Sequence, residues 1–498
     1  MRSIKEQLDP IFYPKSLAVI GASNNALKWG WIILHNILRN RYRGRLYPVN
    51  RSEDKIIGVK AYHSVGALPE PVDLALVVIP AHSVAEAVEE CAKSGVKGCV
   101  VITSGFKESG EDGAALEKEL VGVARKAGIR IVGPNCMGVL SSTVSLVAVM
   151  SLIDLRPGPI SFISQSGNLG TLAMWNAMQM GVGFSKFVST GNEADLHCED
   201  YIEYFGQDSD TSVIACYMEG FSDARRFMRT AHEVAERKPV VVLKGGVTQA
   251  GSRAARAHSG SLAGTENIFT AAFKQAGVLK AESEDELVDY AGALASQPLP
   301  KSNRVGILSL GGGWGVLASD SCEKHGLIVP PLPPIAVSRI DKVLPPYWSK
   351  GNPVDTVAKF DAATLRVCIE TLLELEAIDS IIIAGFGTYS YFASEISGSA
   401  FATKEQAELF DQISMIEGQI AKDIVDSRKK YGKPIMVVSR LSGRESSSIQ
   451  ILESEGMPPY PTPQRAAKAL SKLVQYRRFI DSSREPRNMN HREWVPGN

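Results

Sequence analysis

One histidine, His258, stands in the run Arg253-Ala254-Ala255-Arg256-Ala257-His258-Ser259-Gly260-Ser261-Leu262-Ala263-Gly264. Small side chains on both sides leave room for a bulky anion beside the imidazole, and the arginines offer planar donors for its oxygens. A neutral imidazole can attack a phosphoryl group and hold it covalently. The run follows the apolar stretch PVVVLKGG, at the carboxyl edge of a sheet, where open α/β folds place their sites. The competing reading is a solvated loop histidine. A phosphohistidine needs its other ring nitrogen oriented, most simply by a carboxylate. Glu219, which closes the strand-like run VIACYME, ends at the same edge; a capping or surface acid is the competing reading for it.

Two further turns could receive anions. Ser164-Gln165-Ser166-Gly167-Asn168-Leu169-Gly170 lies between an apolar strand and a helix, with Ser and Gly at the helix start supplying hydroxyls and open N–H groups. Such turns are also common as simple caps. Gly21-Ala22-Ser23-Asn24-Asn25 follows the strand SLAVI in the same way, although its spacing is not the GxGxxG of a dinucleotide site. The next strand closes on Pro48-Val49-Asn50-Arg51, a basic residue where NAD enzymes place an acid. Arg51 suits a phosphorylated ribose, as in CoA or NADP. The remaining histidines, 35, 63, 82, 197, 232, 325 and 491, form no metal-spaced set.

These turns must be held by strands and helices in alternation. SLAVIGAS, RLYPVN, LALVVIP, GCVVITSG and IRIVGPN are continuously apolar, which predicts buried parallel strands with helices between them. A second unit opens after Arg156-Pro157-Gly158-Pro159 with PISFISQSG, and a third with RVGILSLGGGWG. Both carry a later GN-x-x-D element, Gly191 to Asp195 and Gly351 to Asp355, so they read as two related flavodoxin-like units. Met174, Trp175 and Met178 follow the Ser166 turn at helical spacing, and core packing explains them better than a pocket wall.

Lys plus Arg and Asp plus Glu number 54 each over 498 residues, so no net field draws in nucleic acid or an anionic membrane. No run is long and apolar enough to span a bilayer, and no leader pattern precedes the first strand. Seven scattered cysteines without CxxC spacing point to a reducing, cytoplasmic setting.

Taken in order, SLAVIGAS, the GPNCMG segment from Gly133 to Gly138, SFISQSGNLG, STGNEADL, YMEGFSDARRF and KGG…ARAHSGSLAG make the chain, over roughly residues 8–475, resemble the alpha subunit of ADP-forming acetyl-CoA synthetases in the succinyl-CoA synthetase superfamily. The resemblance implies an α/β protein: a Rossmann-like CoA-binding domain at 1–150, a flavodoxin-like domain with the phosphohistidine loop at 151–300, a second flavodoxin-like ligase domain at 301–480, and a polar tail at 481–498. It implies that acyl-CoA, phosphate and ADP or GDP become free acid, CoA and ATP or GTP. His258 would be the phosphorylated residue and Glu219 its orienting acid. Ser164, Ser166, Gly167, Asn168, Gly260 and Ser261 would form the phosphate and acyl site. Gly21, Ser23, Lys28, Asn50, Arg51, Ile79, Pro80 and Asn135 would form the CoA pocket. No ATP-grasp module is recognisable, so the nucleotide and Mg²⁺ are expected on a separate beta subunit in an α2β2 assembly. A CoA-responsive regulatory module, an NADP-dependent oxidoreductase and a CoA transferase remain as alternatives.

Overall fold

The apolar runs do become strands, and the strands sort into three main sheets. The computed structural model describes residues 3–259, 266–397, 399, 401 and 403–484. The first unit runs β1 (Ser16–Ile20), β2 (Arg45–Val49), the small ribbon β3 (Lys55–Ile56) and β4 (Val59–Lys60), then β5 (Leu74–Val77), β6 (Gly98–Val101) and β7 (Arg130–Val132). Its parallel sheet has the order β2-β1-β5-β6-β7. The order therefore reverses between β1 and β5, and a crevice opens beyond the carboxyl ends of those two strands.

The second sheet contains β8 (Gly138–Ser141), β9 (Leu146–Val149), β10 (Pro157–Ser164), β11 (Phe184–Ser189), β12 (Val213–Met218), β13 (Val240–Lys244) and β14 (Leu279–Ala281), ordered β14-β13-β12-β10-β11-β8-β9. Strands β10 to β14 repeat the same winding, with the reversal between β10 and β12. Strands β8 and β9 form an antiparallel hairpin on its edge. The sheets thus change over between Val132 and Gly138, ahead of the division at 150 drawn from the sequence. The hairpin is buried on both faces because its side chains alternate between two cores. Val139, Leu146 and Ala148 pack with the first unit's Leu17 and Val19, while Leu140, Val147 and Val149 pack with Phe162 and Phe187.

The third sheet is β15 (Val305–Ser309), β16 (Val354–Asp355), β17 (Ser380–Ala384) and β18 (Ile435–Val438), parallel in the order β16-β15-β17-β18. Its first helix, Gly312–Lys324, follows the Gly-rich turn as its counterpart Gly167–Gln179 does in the second unit. The last helix, Pro463–Arg484, lies between the two units. Its Leu470, Leu473 and Ile480 enter one continuous core with Phe162, Val241 and Leu287 of the second unit and Val305 and Ile382 of the third. Ion pairs fix it there: Arg465 Nε donates to Asp289 at 2.6 Å and Lys468 Nζ to Glu286 at 2.6 Å. Residues 481–484 of the expected tail belong to this helix, and 485–498 lie outside the described residues.

The first and second units are pinned by a buried ion cluster. Lys186 on β11 is fully buried and donates to Asp208 at 2.7 Å, while the Tyr13 hydroxyl reaches Asp208 and, at 2.8 Å, Asp210. Beside it Phe12 stacks on Tyr204, with ring centroids 5.2 Å apart. Met174 and Met178 are core residues, as expected, whereas Trp175 on the same helix is exposed.

Candidate functional site

The carboxyl ends of the first and second sheets face a common cleft of about 1320 Å³. From the first sheet it takes Gly21 to Ser23 after β1, Asn50 after β2, Val78 to Ala81 after β5 and Ile102 to Ser104 after β6. From the second it takes Gln165 to Asn168 after β10, Gly191 to Glu193 after β11 and Gly220 to Ser222 after β12. Two crevices at two strand-order reversals are thus fused into one.

The first-sheet half suits a long phosphorylated ligand. Gly21 has φ +93°, and a Cβ there would stand 2.2 Å from the Val78 carbonyl oxygen. Gly30, in the first turn of helix Trp29–Arg39, would meet the Gly21 carbonyl at 2.0 Å. Only bare backbone lets helix and turn approach so closely, which aims the helix N-terminus into the cleft. Lys28, the residue that precedes this helix, and Trp29 line the wall. Asn50 shapes the turn: its Nδ2 donates to the Ala22 carbonyl at 2.8 Å, and its Oδ1 accepts from Ser52 N–H at 2.9 Å and Glu53 N–H at 3.1 Å. Arg51 sits on the outside of that turn, exposed and beyond the cleft lining. The remaining expected residues of this half, Ser23, Ile79, Pro80 and Asn135, all line the cleft, Asn135 at φ +57°.

The second half presents the helix Gly167–Gln179, whose start has no side-chain cap. Its N-terminal N–H groups and positive dipole end therefore remain for an anion. A Cβ at Gly167 would lie 2.1 Å from Met137 Cγ, so glycine keeps this approach open. Ser166, Gly167 and Asn168 line the cleft, whereas Ser164 is fully buried and donates its hydroxyl to the Ser166 carbonyl at 2.6 Å. Ser164 thus shapes the turn and does not face the cleft.

Glu219 directly follows β12 and precedes the cleft residue Gly220. Its Oε1 accepts from the Tyr217 hydroxyl at 3.2 Å, and its carbonyl accepts from Lys244 Nζ at 2.7 Å. Burial pushes the Lys244 ammonium down to about 8 despite the nearby Glu219. His258 was expected in a loop. Its backbone instead belongs to helix Gln249–Ser259, one turn beyond Ala255, which packs near Gly246 after β13. Alanine and arginine favour helix. The His258 side chain, Gly260 and Ser261 lie outside what the structure describes.

Among the lining residues that escape the motif-based reading are Lys107, Gln165, Asn192 and Glu193. Lys107 Nζ donates to the Asn192 carbonyl, and Asn192 Nδ2 donates to Glu108 at 2.6 Å and Glu117 at 2.8 Å, which ties the two halves across the floor. Gln165 stands inside the serine turn, and Asn192 and Glu193 inside the GN-x-x-D element. Their signal was position within a motif, not residue type.

Family comparisons divide the chain in the same sequence of parts. A CoA binding domain matches residues 15–142, a succinyl-CoA ligase like flavodoxin domain 157–294, and a ligase-CoA domain 305–404. The chain is 39% identical over 471 residues to the acetate–CoA ligase (ADP-forming) II subunit alpha of Pyrococcus furiosus, covering 94% of this chain and 97% of the relative. It is 32% identical to the 4-hydroxybutyrate–CoA ligase (ADP-forming) of Nitrosopumilus maritimus, over 95% of this chain and 65% of that longer protein. Among solved structures, the dinucleotide-forming acetyl-coenzyme A synthetase 1 of Ca. Korarchaeum cryptofilum, in complex with phosphate and ADP, superposes with TM-score 0.81. It is 35% identical, over 96% of this chain and 98% of that one.

Proposed function

Because the chain belongs to the family of ADP-forming acetate–CoA ligase alpha subunits, we propose that it carries out the acyl-CoA and phosphohistidine steps of an NDP-forming acyl-CoA synthetase and hands the phosphoryl group to a nucleotide on a separate beta subunit. The observation that supports this most is the fused cleft. One wall can take CoA, and the other presents an uncapped helix start one strand away from Glu219.

CoA lies along the first-sheet turns, with Lys28 available to its phosphates. Inorganic phosphate sits at the N-terminus of helix Gly167–Gln179. A phosphate oxygen attacks the thioester carbonyl, the C–S bond breaks, and CoA leaves as thiolate. The acyl phosphate then gives its phosphoryl group to a His258 ring nitrogen, and the P–O bond to the acyl group breaks to release the carboxylate. Glu219 holds the opposite ring N–H of His258. An NDP oxygen finally takes the phosphoryl group and frees the imidazole. The dianionic phosphohistidine is favoured by the helix dipole with no bulky cationic pocket. Mg²⁺ and the nucleotide belong to the partner, an ATP-grasp subunit in an α2β2 assembly. The seven cysteines are all buried free thiols, which suits a reducing cytoplasm. No helix of the described residues is long and apolar enough to cross a membrane.

The relatives over nearly the whole chain are ligases, and neither the oxidoreductase nor the regulatory reading finds support among them. The test is incubation of the chain, with its partner, with acyl-CoA and labelled phosphate. An acid-labile, alkali-stable label is expected on wild type and none on His258→Ala. A label that persists in the variant, or never forms, refutes the proposal. Scanning acids by CoA release then identifies the acyl group.

A further inference from the structure

Gln165 uses every hydrogen-bonding position of its amide across the reversal in the second sheet. Oε1 accepts from the N–H groups of Glu219 and, at 3.1 Å, Gly220. Nε2 donates to the Gly220 carbonyl at 3.1 Å and to Glu193 Oε1 at 3.1 Å. An amide can be placed either way round, and its partners decide which. Here the Glu193 carboxylate, an acceptor only, forces Nε2 toward itself and so turns Oε1 onto the two N–H groups after β12.

Glu193 is itself held for this task. It is almost buried, stands at φ +52°, and its Oε1 also accepts from the Cys198 thiol at 3.0 Å. A left-handed glutamate carries backbone strain that the surrounding contacts must offset. His197 closes the chain of contacts, with Nδ1 3.7 Å from Glu193 Oε2 and 2.9 Å from the Ser222 hydroxyl. The two residues that directly follow β12, Glu219 and Gly220, are thus gripped from the β10 side by an amide whose orientation is set from the β11 side.

We propose that Gln165 is a positioning residue for phosphoryl transfer, acting through Glu219 with its amide orientation dictated by Glu193. This rests on the reading that Glu219 orients His258. The thioester step takes place at the Ser166 turn and does not use Glu219, so Gln165 should weigh differently on the two steps.

The experiment uses the assembled enzyme and two probes. Acetyl phosphate labelled in its phosphoryl group reports transfer to the chain alone, and CoA release from acetyl-CoA plus phosphate reports the step before it. In Gln165→Glu the new carboxylate faces Glu193 and the Gly220 carbonyl. The ratio of labelling rate to CoA-release rate is expected to fall about 100-fold, the scale of a misplaced catalytic group, with KM for CoA unchanged. Adding Glu193→Gln restores a donor–acceptor pair and should recover most of the ratio. Gln165→Leu combined with Glu219→Gln should be no slower in labelling than Glu219→Gln alone. Proportional loss of both steps, no recovery in the double variant, or multiplying losses overturns the proposal. If Gln165→Glu does not fold, Gln165→Leu against Glu219→Gln still decides it. A wild type that takes label with no dependence on Glu219 overturns the underlying reading, and this proposal with it.

Discussion

Lys244 ends β13 with its ammonium buried against the Phe269 ring, 4.8 Å from the centroid, and donating to the carbonyls of Glu219 and Gly245. Burial brings it down to about 8, well below an ordinary lysine. Between about 8 and the unfolded value of about 10.4 this residue binds more protons in the unfolded chain than in the folded one, so its own contribution to stability rises with pH across that window. The protonated residue costs on the order of 3 kcal/mol below it. Urea unfolding should therefore show Lys244→Met more stable than wild type at pH 8, with that advantage shrinking toward pH 10; the difference isolates Lys244 from the buried thiols, which burial holds protonated and which pull both proteins the other way. Residue type put His258 and Glu219 forward in the sequence as candidates, because few side chains can carry or orient a phosphoryl group. Gln165 was not visible. An amide announces no chemistry, and its partners lie 28 and 55 positions away. Arg51 was visible as a basic residue, but the three bonds accepted by Asn50 Oδ1 bend the turn and leave it outside the cleft.

The contact between helix Trp29–Arg39 and the β1 turn depends on the absence of one side chain. Gly30→Ala places a methyl group 2.0 Å from the Gly21 carbonyl oxygen, and backbone must move to relieve it. The helix start then shifts away from the CoA wall. KM for CoA is expected to rise at least about tenfold, while labelling by acetyl phosphate, which uses the second sheet, should persist; steady-state kinetics beside the labelling assay separates the two. Strands were legible at this scale because each is a short, wholly apolar run between turn residues. The β8–β9 hairpin was not, since its run MGVLSSTVSLVAV lacks the polar alternation of an ordinary edge hairpin, both faces being buried. Nor did the GN-x-x-D spelling disclose its two uses. Asn192 bridges the cleft to Glu108 and Glu117, while Asn352 binds back onto its own sheet through the Val305 carbonyl and Ile307 N–H, each at 2.9 Å.

For the molecule as a whole, the three-unit architecture was readable from the repeated strand–turn–helix pattern, but the way the units lock together was not, because it depends on pairs distant in the chain. Lys186→Met would leave Asp208 buried without its counter-ion and should cost about 3–5 kcal/mol, read as a lowered urea midpoint. The helix Pro463–Arg484 has a consequence of another kind. Chain synthesis delivers it after every strand of the second and third units, yet its Leu470, Leu473 and Ile480 complete a core begun by Ile160 and Phe162. At about 5–20 residues per second, the second unit's apolar sheet face waits on the ribosome for tens of seconds without its final cover. That interval leaves apolar surface open to association, and a gene stopped at residue 462 should yield protein that aggregates, while supplying the remainder as a separate peptide during expression should return it to solution.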